Sequence, residues 1–295
     1  MFKSAIFRLH LIVFLWGFTA ILGKLIQTDA YKLVFYRMLF AALFLYIFNR
    51  FILKQSLKIS KKLLFQLFGI GAFMGAHWLL FFYSIKVSNV SIALSCLSLS
   101  TLFASVLEPL IFKRKIDPVE IIIGIIIVIC ISFIFKAEMS YKEGIIAGVF
   151  CALFGTIFSV LNGKIYGKTS SSNIIFYEIF GGWLIISLFF AATGKIVEFH
   201  EISWKDLALI VLLASVFTAY PMLESVNLMK YISPFTLILT VNLEPVYGII
   251  LAFFIFGASE HMTPVFYGAS LVMILSIFAN GYFKTKKKVK TPIEN

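Results

Sequence analysis

Val119-Glu120-Ile121-Ile122-Ile123-Gly124-Ile125-Ile126-Ile127-Val128-Ile129-Cys130-Ile131-Ser132-Phe133-Ile134-Phe135-Lys136 is apolar on every side, without the two-residue alternation of a half-buried strand. Coiled as a helix it is close to the length that crosses a hydrocarbon core, where each backbone group must bond within its own segment. Similar runs flank it in both directions: Ala5 to Ile26, Leu33 to Leu53, Leu63 to Ile85, Val90 to Phe112, Gly144 to Ile165, Ile174 to Thr193, Leu207 to Leu228, Ile232 to Phe256 and Val265 to Phe283. A barrel is the wrong reading, because barrel strands alternate apolar and polar residues. Composition agrees: 61% of the 295 residues are hydrophobic, 34 are Phe and 14% are charged, a balance that makes lipid the solvent. The expected fold is all-α integral membrane, with ten transmembrane helices and both termini on one side.

The net charge of +12 invites a nucleic-acid reading, but its distribution sets topology instead. With a cytoplasmic N-terminus, the inner side holds Lys3 and Arg8, Arg50 through Lys62, Lys113-Arg114-Lys115, Lys164 and Lys168, Lys230, and the tail from Lys284 to Lys290. The other side keeps lysines offset by acids, as Lys136 and Lys142 are by Glu138 and Glu143. This is the positive-inside pattern, and it predicts a multi-pass protein of the cell inner membrane with both termini cytoplasmic. The basic tail also suits anionic lipid. Lys3 and Arg8 ahead of an apolar run mimic a signal peptide, but the run is long and nine spans follow, so it reads as a retained helix. Cys96, Cys130 and Cys151 all fall within spans, where they act as small apolar residues; neither a disulfide, a metal nor a cofactor is expected.

The second half echoes the first. Phe35-Tyr36-Arg37 answers to Phe176-Tyr177-Glu178 (176 − 35 = 141), Gly23-Lys24 to Gly163-Lys164 (163 − 23 = 140), Lys86 to Lys230 (230 − 86 = 144) and Gly124 to Gly268 (268 − 124 = 144). Five helices is an odd number, so the second copy lies upside down relative to the first. The expectation is two inverted five-helix repeats, residues 1–140 and 141–284, followed by a basic cytoplasmic tail over 285–295. Inverted repeats are a signature of secondary transporters, which exchange two near-equivalent packings around a midplane site. A duplicated bundle without a cavity is the competing reading.

Ten spans, five-helix repeats and the stretch Lys230-Tyr231-Ile232-Ser233-Pro234-Phe235-Thr236 leading to Asn242-Leu243-Glu244-Pro245-Val246-Tyr247 resemble the drug/metabolite transporter superfamily, EamA family. Lys86-Val87-Ser88-Asn89-Val90-Ser91-Ile92-Ala93-Leu94 fits the same pattern in the first half. The resemblance implies export of amino acids, other metabolites or toxic compounds through a cavity lined mainly by helices 1, 3, 4, 6, 8 and 9, and places helices 2 and 7 at the periphery. Such proteins often carry Gly-Glu where helix 9 ends. This chain reads Gly257-Ala258-Ser259-Glu260, and Lys113-Arg114-Lys115 stands at the matching place of the first half, so loop carboxylates are read as a poor guide to function.

Ionisable groups inside lipid are costly, and they face the bundle interior or mark function. Glu244 is the deepest carboxylate, expected near the middle of helix 9, with Thr236, Thr240, Glu244 and Tyr247 on one face. Pro245 gives the Val241 carbonyl no hydrogen bond, so a kink beside the carboxylate is expected. Glu244 is thus the substrate-pathway and proton-coupling candidate; a packing role is the alternative. Ser91, Ser95, Ser98 and Ser105 form a stripe on helix 4 that serves close packing or a wet path, and Ser100 matches Glu244 in the repeat (244 − 144 = 100). His77 and Trp78 on helix 3, Trp16 and Thr19 on helix 1, Gly155, Ser159, Asn162 and Tyr166 on helix 6, and Tyr220 on helix 8 complete the pathway candidates. Glu108 and Glu224, nearer the cytoplasmic side, read as gates. Lys24 is expected to snorkel, and Arg37 and Glu178 to make local contacts at the periphery.

An enzyme is not expected, since no HExxH, GxSxG or Cys/His cluster occurs. A passive channel or scaffold stays open. A phosphorylated or nucleotide-like cargo would call for Lys or Arg clustered at the midplane, which the sequence does not offer, so zwitterionic, neutral or cationic solutes fit better. The partners are a small-molecule substrate and the bilayer, with monomer and homodimer both open.

Overall fold

Short polar residues set where the helices begin. Asp29, Ser60, Asn89, Ser170 and Ser203 each accept a hydrogen bond from the backbone N–H three residues on, and Asp117 from that of Val119 just after Pro118. Each satisfies a donor that the first helical turn leaves unpaired. The computed structural model describes residues 2–194, 202–228, 231, 240–241 and 243–290, and the side chains of all of these but 2–4, 226 and 280–290.

In chain order, α1 runs Phe2–Leu25, α2 Ala30–Ile47, α3 Lys61–Val87, α4 Val90–Leu97, α5 Ser100–Phe112 and α6 Pro118–Ala137. Then come α7 Lys142–Ile165, α8 Ser171–Ala192, α9 Trp204–Ala214, α10 Tyr220–Leu228, α11 Glu244–Phe256 and α12 Pro264–Lys290. Among the described residues there is no strand. Among the described residues eight helical segments are long and apolar enough to cross a membrane, and Pro264–Ala279 is a shorter apolar stretch. This is a membrane protein. The expected ninth span lies partly outside the described residues, Thr236 with it. Phe65, Trp204 and Phe254 stand out from the bundle surface, as side chains facing lipid do.

Among the described residues four of the expected spans are not plain helices; the second ends in a π-turn over Phe48–Ile52. The fourth breaks at Ser98 and Leu99, whose N–H groups reach back only three residues, to Ser95 and Cys96. No proline causes this; the Ser100 hydroxyl donates to the Leu97 carbonyl, so a side chain competes with the helical ladder. In the ninth, Leu243 N–H likewise bonds Thr240, three residues back, and α11 starts at Glu244 with Pro245 in its first turn. Glu244 therefore opens a half-helix rather than sitting inside a continuous one, and the expected Thr240-to-Tyr247 stripe is interrupted. The two half-helices start at Ser100 and Glu244, which the repeat offset relates (244 − 100 = 144). In the eighth, a π-turn over Ser215–Ala219 joins α9 to α10. Pro221 offers no N–H to the carbonyl of Phe217, and the widened turn takes up the mismatch.

Packing crosses between the two halves of the sequence. α3 lies along α7 and α8, α2 along α8, α1 along α11, and α12 along α6. At the α3–α8 crossing Gly71 and Gly182 bring the backbones together: a Cβ on Gly71 would stand 2.1 Å from the Glu178 carbonyl oxygen, and one on Gly182 2.4 Å from that of Gly71. Such close approach is how helices gain contact where lipid supplies no hydrophobic drive.

Candidate functional site: a charged centre and a one-sided clasp

Arg37 stands just short of the middle of α2 and is 3% exposed. Its guanidinium lies over the Trp78 ring, 3.9 Å from the centroid, and 5.3 Å from that of Phe82. Nε donates to Thr218 Oγ1 at 2.9 Å, and Thr218 in turn donates to the Leu213 carbonyl at 2.7 Å. The π-turn gives Thr218 this second bond, five residues back, so one hydroxyl both mends the helix and holds the arginine. Nη1 is enclosed without a hydrogen-bond partner. The expectation of a peripheral arginine with local contacts is thus corrected: residues three and four away on its own helix are apolar, and the side chain finds α3 and the π-turn instead.

Glu244 keeps accessible surface although it lies deep in the chain's packing, about 18 Å of helix from the end of α11 at a rise of roughly 1.5 Å per residue. The positive charge that acts on it is that of Arg37, though no ion pair joins them among the described residues. Arg37 also acts on His77, and Glu244 on Cys151. His77 Nδ1 is 2.9 Å from the Cys151 carbonyl oxygen and 3.2 Å from its Sγ. Only a protonated Nδ1 satisfies that carbonyl, so the contact selects the tautomer. Gly155 leaves the ring its place, because a Cβ there would fall 2.7 Å from Nδ1. Arg37, His77, Trp78, Cys151, Thr218 and Glu244 thus form one polar constellation fed by α2, α3, α7, the π-turn and α11. Sequence reading identified His77, Trp78 and Glu244 and missed Arg37, Cys151 and Thr218.

The other candidates lie elsewhere. Trp16 and Tyr247 pack with Leu9, Leu228, Val241 and Leu243, and the Tyr247 hydroxyl is 3.3 Å from His10 Nδ1. Thr240 and Ser98 are buried, and Ser95 is buried with its hydroxyl unpartnered. Ser105 donates to the Leu102 carbonyl, Ser159 to that of Gly155, and Tyr220 is exposed. Asn162 Nδ2 donates at 3.0 Å to Glu178 Oε2, whose companion Oε1 is buried without a partner. Of the gate candidates, Glu224 pairs with Arg8 and Glu108 with Arg114. Among the described residues no group of three or more His, Cys, Asp or Glu could hold a metal ion.

At the lysine-poor end, the loop carboxylate Glu260 is a structural tie. It is 1% exposed and caps α4, accepting from Val90 N–H at 3.1 Å, Ser91 N–H at 2.9 Å and Ser91 Oγ at 2.7 Å. Lys24 completes the clasp: Nζ is 2.7 Å from Glu260 Oε1 and from Ser259 Oγ, and 4.4 Å from the Phe256 centroid. Lys24 therefore pairs inward rather than snorkelling. Ser91 is drawn out of the presumed helix 4 stripe by the same bonds. Nearby, Asp206 accepts from the N–H groups of Gln27 and Thr28, both at 2.9 Å, and ties α9 to the first loop.

Comparisons agree with this architecture. A solved crystal structure, titled only as that of a protein, superimposes with a TM-score of 0.66 at 13% identity, covering 96% of this chain and 99% of its own, which makes the two alike in fold. No curated protein matches the sequence. Residues 3–136 match the model of the EamA-like transporter family. Those residues carry Arg37, His77, Trp78 and the broken fourth span, and it is over this part that the chain is similar to the EamA-like transporter family.

Proposed function

We propose that the protein is a secondary active transporter that exports small organic metabolites, amino acids among them, by alternating access around a central site. In this reading residues 1–140 and 141–284 are inverted five-helix repeats making ten spans, and the basic tail over 285–295 lies in the cytoplasm of a cell whose inner membrane holds the protein. The observation that carries it is Glu244: a half-buried glutamate at the start of a half-helix, in register with the half-helix that starts at Ser100. Interrupted helices at membrane depth occur where backbone lines a cavity, and their ends hold substrate and coupling ions. The family match over residues 3–136 supports transport, and the Glu260 clasp, a breakable tie between α1, α4 and the exit of α11, favours a carrier over a standing channel.

Glu244 is the group through which a proton couples to solute, by occupying the carboxylate when the solute does not. Reconstituted in liposomes, the protein should give saturable, counter-solute-stimulated flux of labelled amino acids that responds to an imposed pH gradient. Glu244→Gln should lower that flux about tenfold or more and abolish the response to the gradient. Saturable flux indifferent to the substitution would reassign Glu244 to packing, and linear, non-saturating flux would make the protein a channel.

A further inference from the structure

Arg37 carries a fixed charge into the bundle and spends only part of its bonding capacity there. A guanidinium has five donors in a planar fork; Nε uses one, on Thr218. Trp78 lies over the plane of the group, so what is left for a ligand is the in-plane edge. Nη1 sits on that edge, enclosed and without an acceptor. A buried donor left unmade is costly, and a charged one more so, which marks the fork as shaped for something that arrives. Thr218, Trp78 and Phe82 meanwhile hold it against rotation, the condition for bidentate recognition.

We propose that Arg37 anchors the carboxylate of the transported solute, with Thr218 and Trp78 as the positioning residues that aim its free edge. Charge balance selects the ligand class. The constellation holds one cation and, within electrostatic reach but not bonded to it, one carboxylate, that of Glu244. A zwitterion that sets its carboxylate against Arg37 and its ammonium toward Glu244 leaves the site neutral. A phosphate dianion would leave it with two uncompensated negative charges in lipid, beside a carboxylate that repels it. The assignment rests on the transport reading above and adds to it the residue that requires an acid group on the cargo.

The test separates the two. Liposomes carrying wild type, Arg37→Lys, Arg37→Gln or Thr218→Val are scored for uptake of each proteinogenic amino acid and of its carboxamide, which keeps the ammonium and loses the carboxylate. Wild type should favour acid over amide by at least about tenfold, because a site built to bond a group rejects the analogue that lacks it. Arg37→Gln should erase the preference, Arg37→Lys should keep part of it as a point charge without the fork, and Thr218→Val should weaken it with the protein folded. Size-exclusion profile and tryptophan emission check that each variant is intact; if Arg37→Gln fails to fold, the Lys and Val variants decide. A preference unchanged in the variants overturns the proposal, as does an equal loss for acid and amide, which would make Arg37 a packing residue. Wild type that carries amides and amines but no acids overturns it while leaving transport standing, and no saturable flux of any compound removes both.

Discussion

Asn162 and Glu178 show how a single bond can matter in lipid. Glu178 is fully buried, and among the described residues the one donor it receives is the Asn162 amide. Asn162→Leu removes that donor while keeping the volume close, and should cost about 1 kcal/mol, at the lower end for a buried acceptor because helices in lipid find other partners when unfolded. A lowered thermal midpoint of the protein in nanodiscs checks this, and an unchanged one would mean that water serves Glu178 equally well. At this scale sequence reading was uneven for a physical reason. Depth within a span is a count along the chain, which is how Glu244 and His77 were found. Rotation and register between spans depend on packing, which is why Arg37 was placed at the periphery. The signal that could have found it is local: at three and four residues to either side stand Leu33, Val34, Phe40 and Ala41, none able to take its charge. An arginine so placed must bond another helix.

Helices here are interrupted where the backbone is offered an alternative, and continuous where it is not. Pro109 lies inside α5 without breaking it, whereas Ser98 and Leu99 break the same span with no proline present. The span positions were legible because hydrophobic runs have a length; the Ser98–Leu99 break was not, since it depends on which hydroxyls win carbonyls from the ladder. The prolines at 221 and 245 were legible as disturbances, though not the forms that resulted, a π-turn and a fresh helix start. The α3–α8 crossing gives the sharpest test at this level. Gly71→Ala drives a methyl into backbone that cannot step aside, since the obstructing atoms are the Glu178 carbonyl and the Gly182 amide nitrogen, 2.8 Å from the added carbon. It should destabilise the protein by about 1–3 kcal/mol, read as a drop in thermal midpoint. Gly69→Ala, with open space around the added carbon, should leave the midpoint unchanged and serves as the control.

Across the whole molecule, each end carries its own tie, Arg8 with Glu224 at the basic end and Lys24 with Glu260 at the lysine-poor end. Lys24, Glu260 and the start of α4 draw α1, α4 and the exit of α11 together. Glu260→Gln should loosen that junction. In a background with the native cysteines replaced, Ser95→Cys should then label about tenfold faster with a membrane-impermeant thiol reagent applied from the lysine-poor side, the ratio that roughly 1.4 kcal/mol of lost clasp would give. Unchanged labelling would reduce the clasp to a helix cap. The all-helical membrane character was readable at this scale because it is written in composition, while the clasp was hidden by its irregular loop sequence. The repeat offset that relates Ser100 to Glu244 sets Ile116 opposite Glu260 (260 − 144 = 116), and an exposed isoleucine cannot bind a lysine or cap a helix. Two near-mirror packings fastened by unequal bolts are not isoenergetic. On the alternating scheme proposed, parting α1 from α4 at the lysine-poor end means breaking Lys24 from Glu260, a cost that has no counterpart at Ile116.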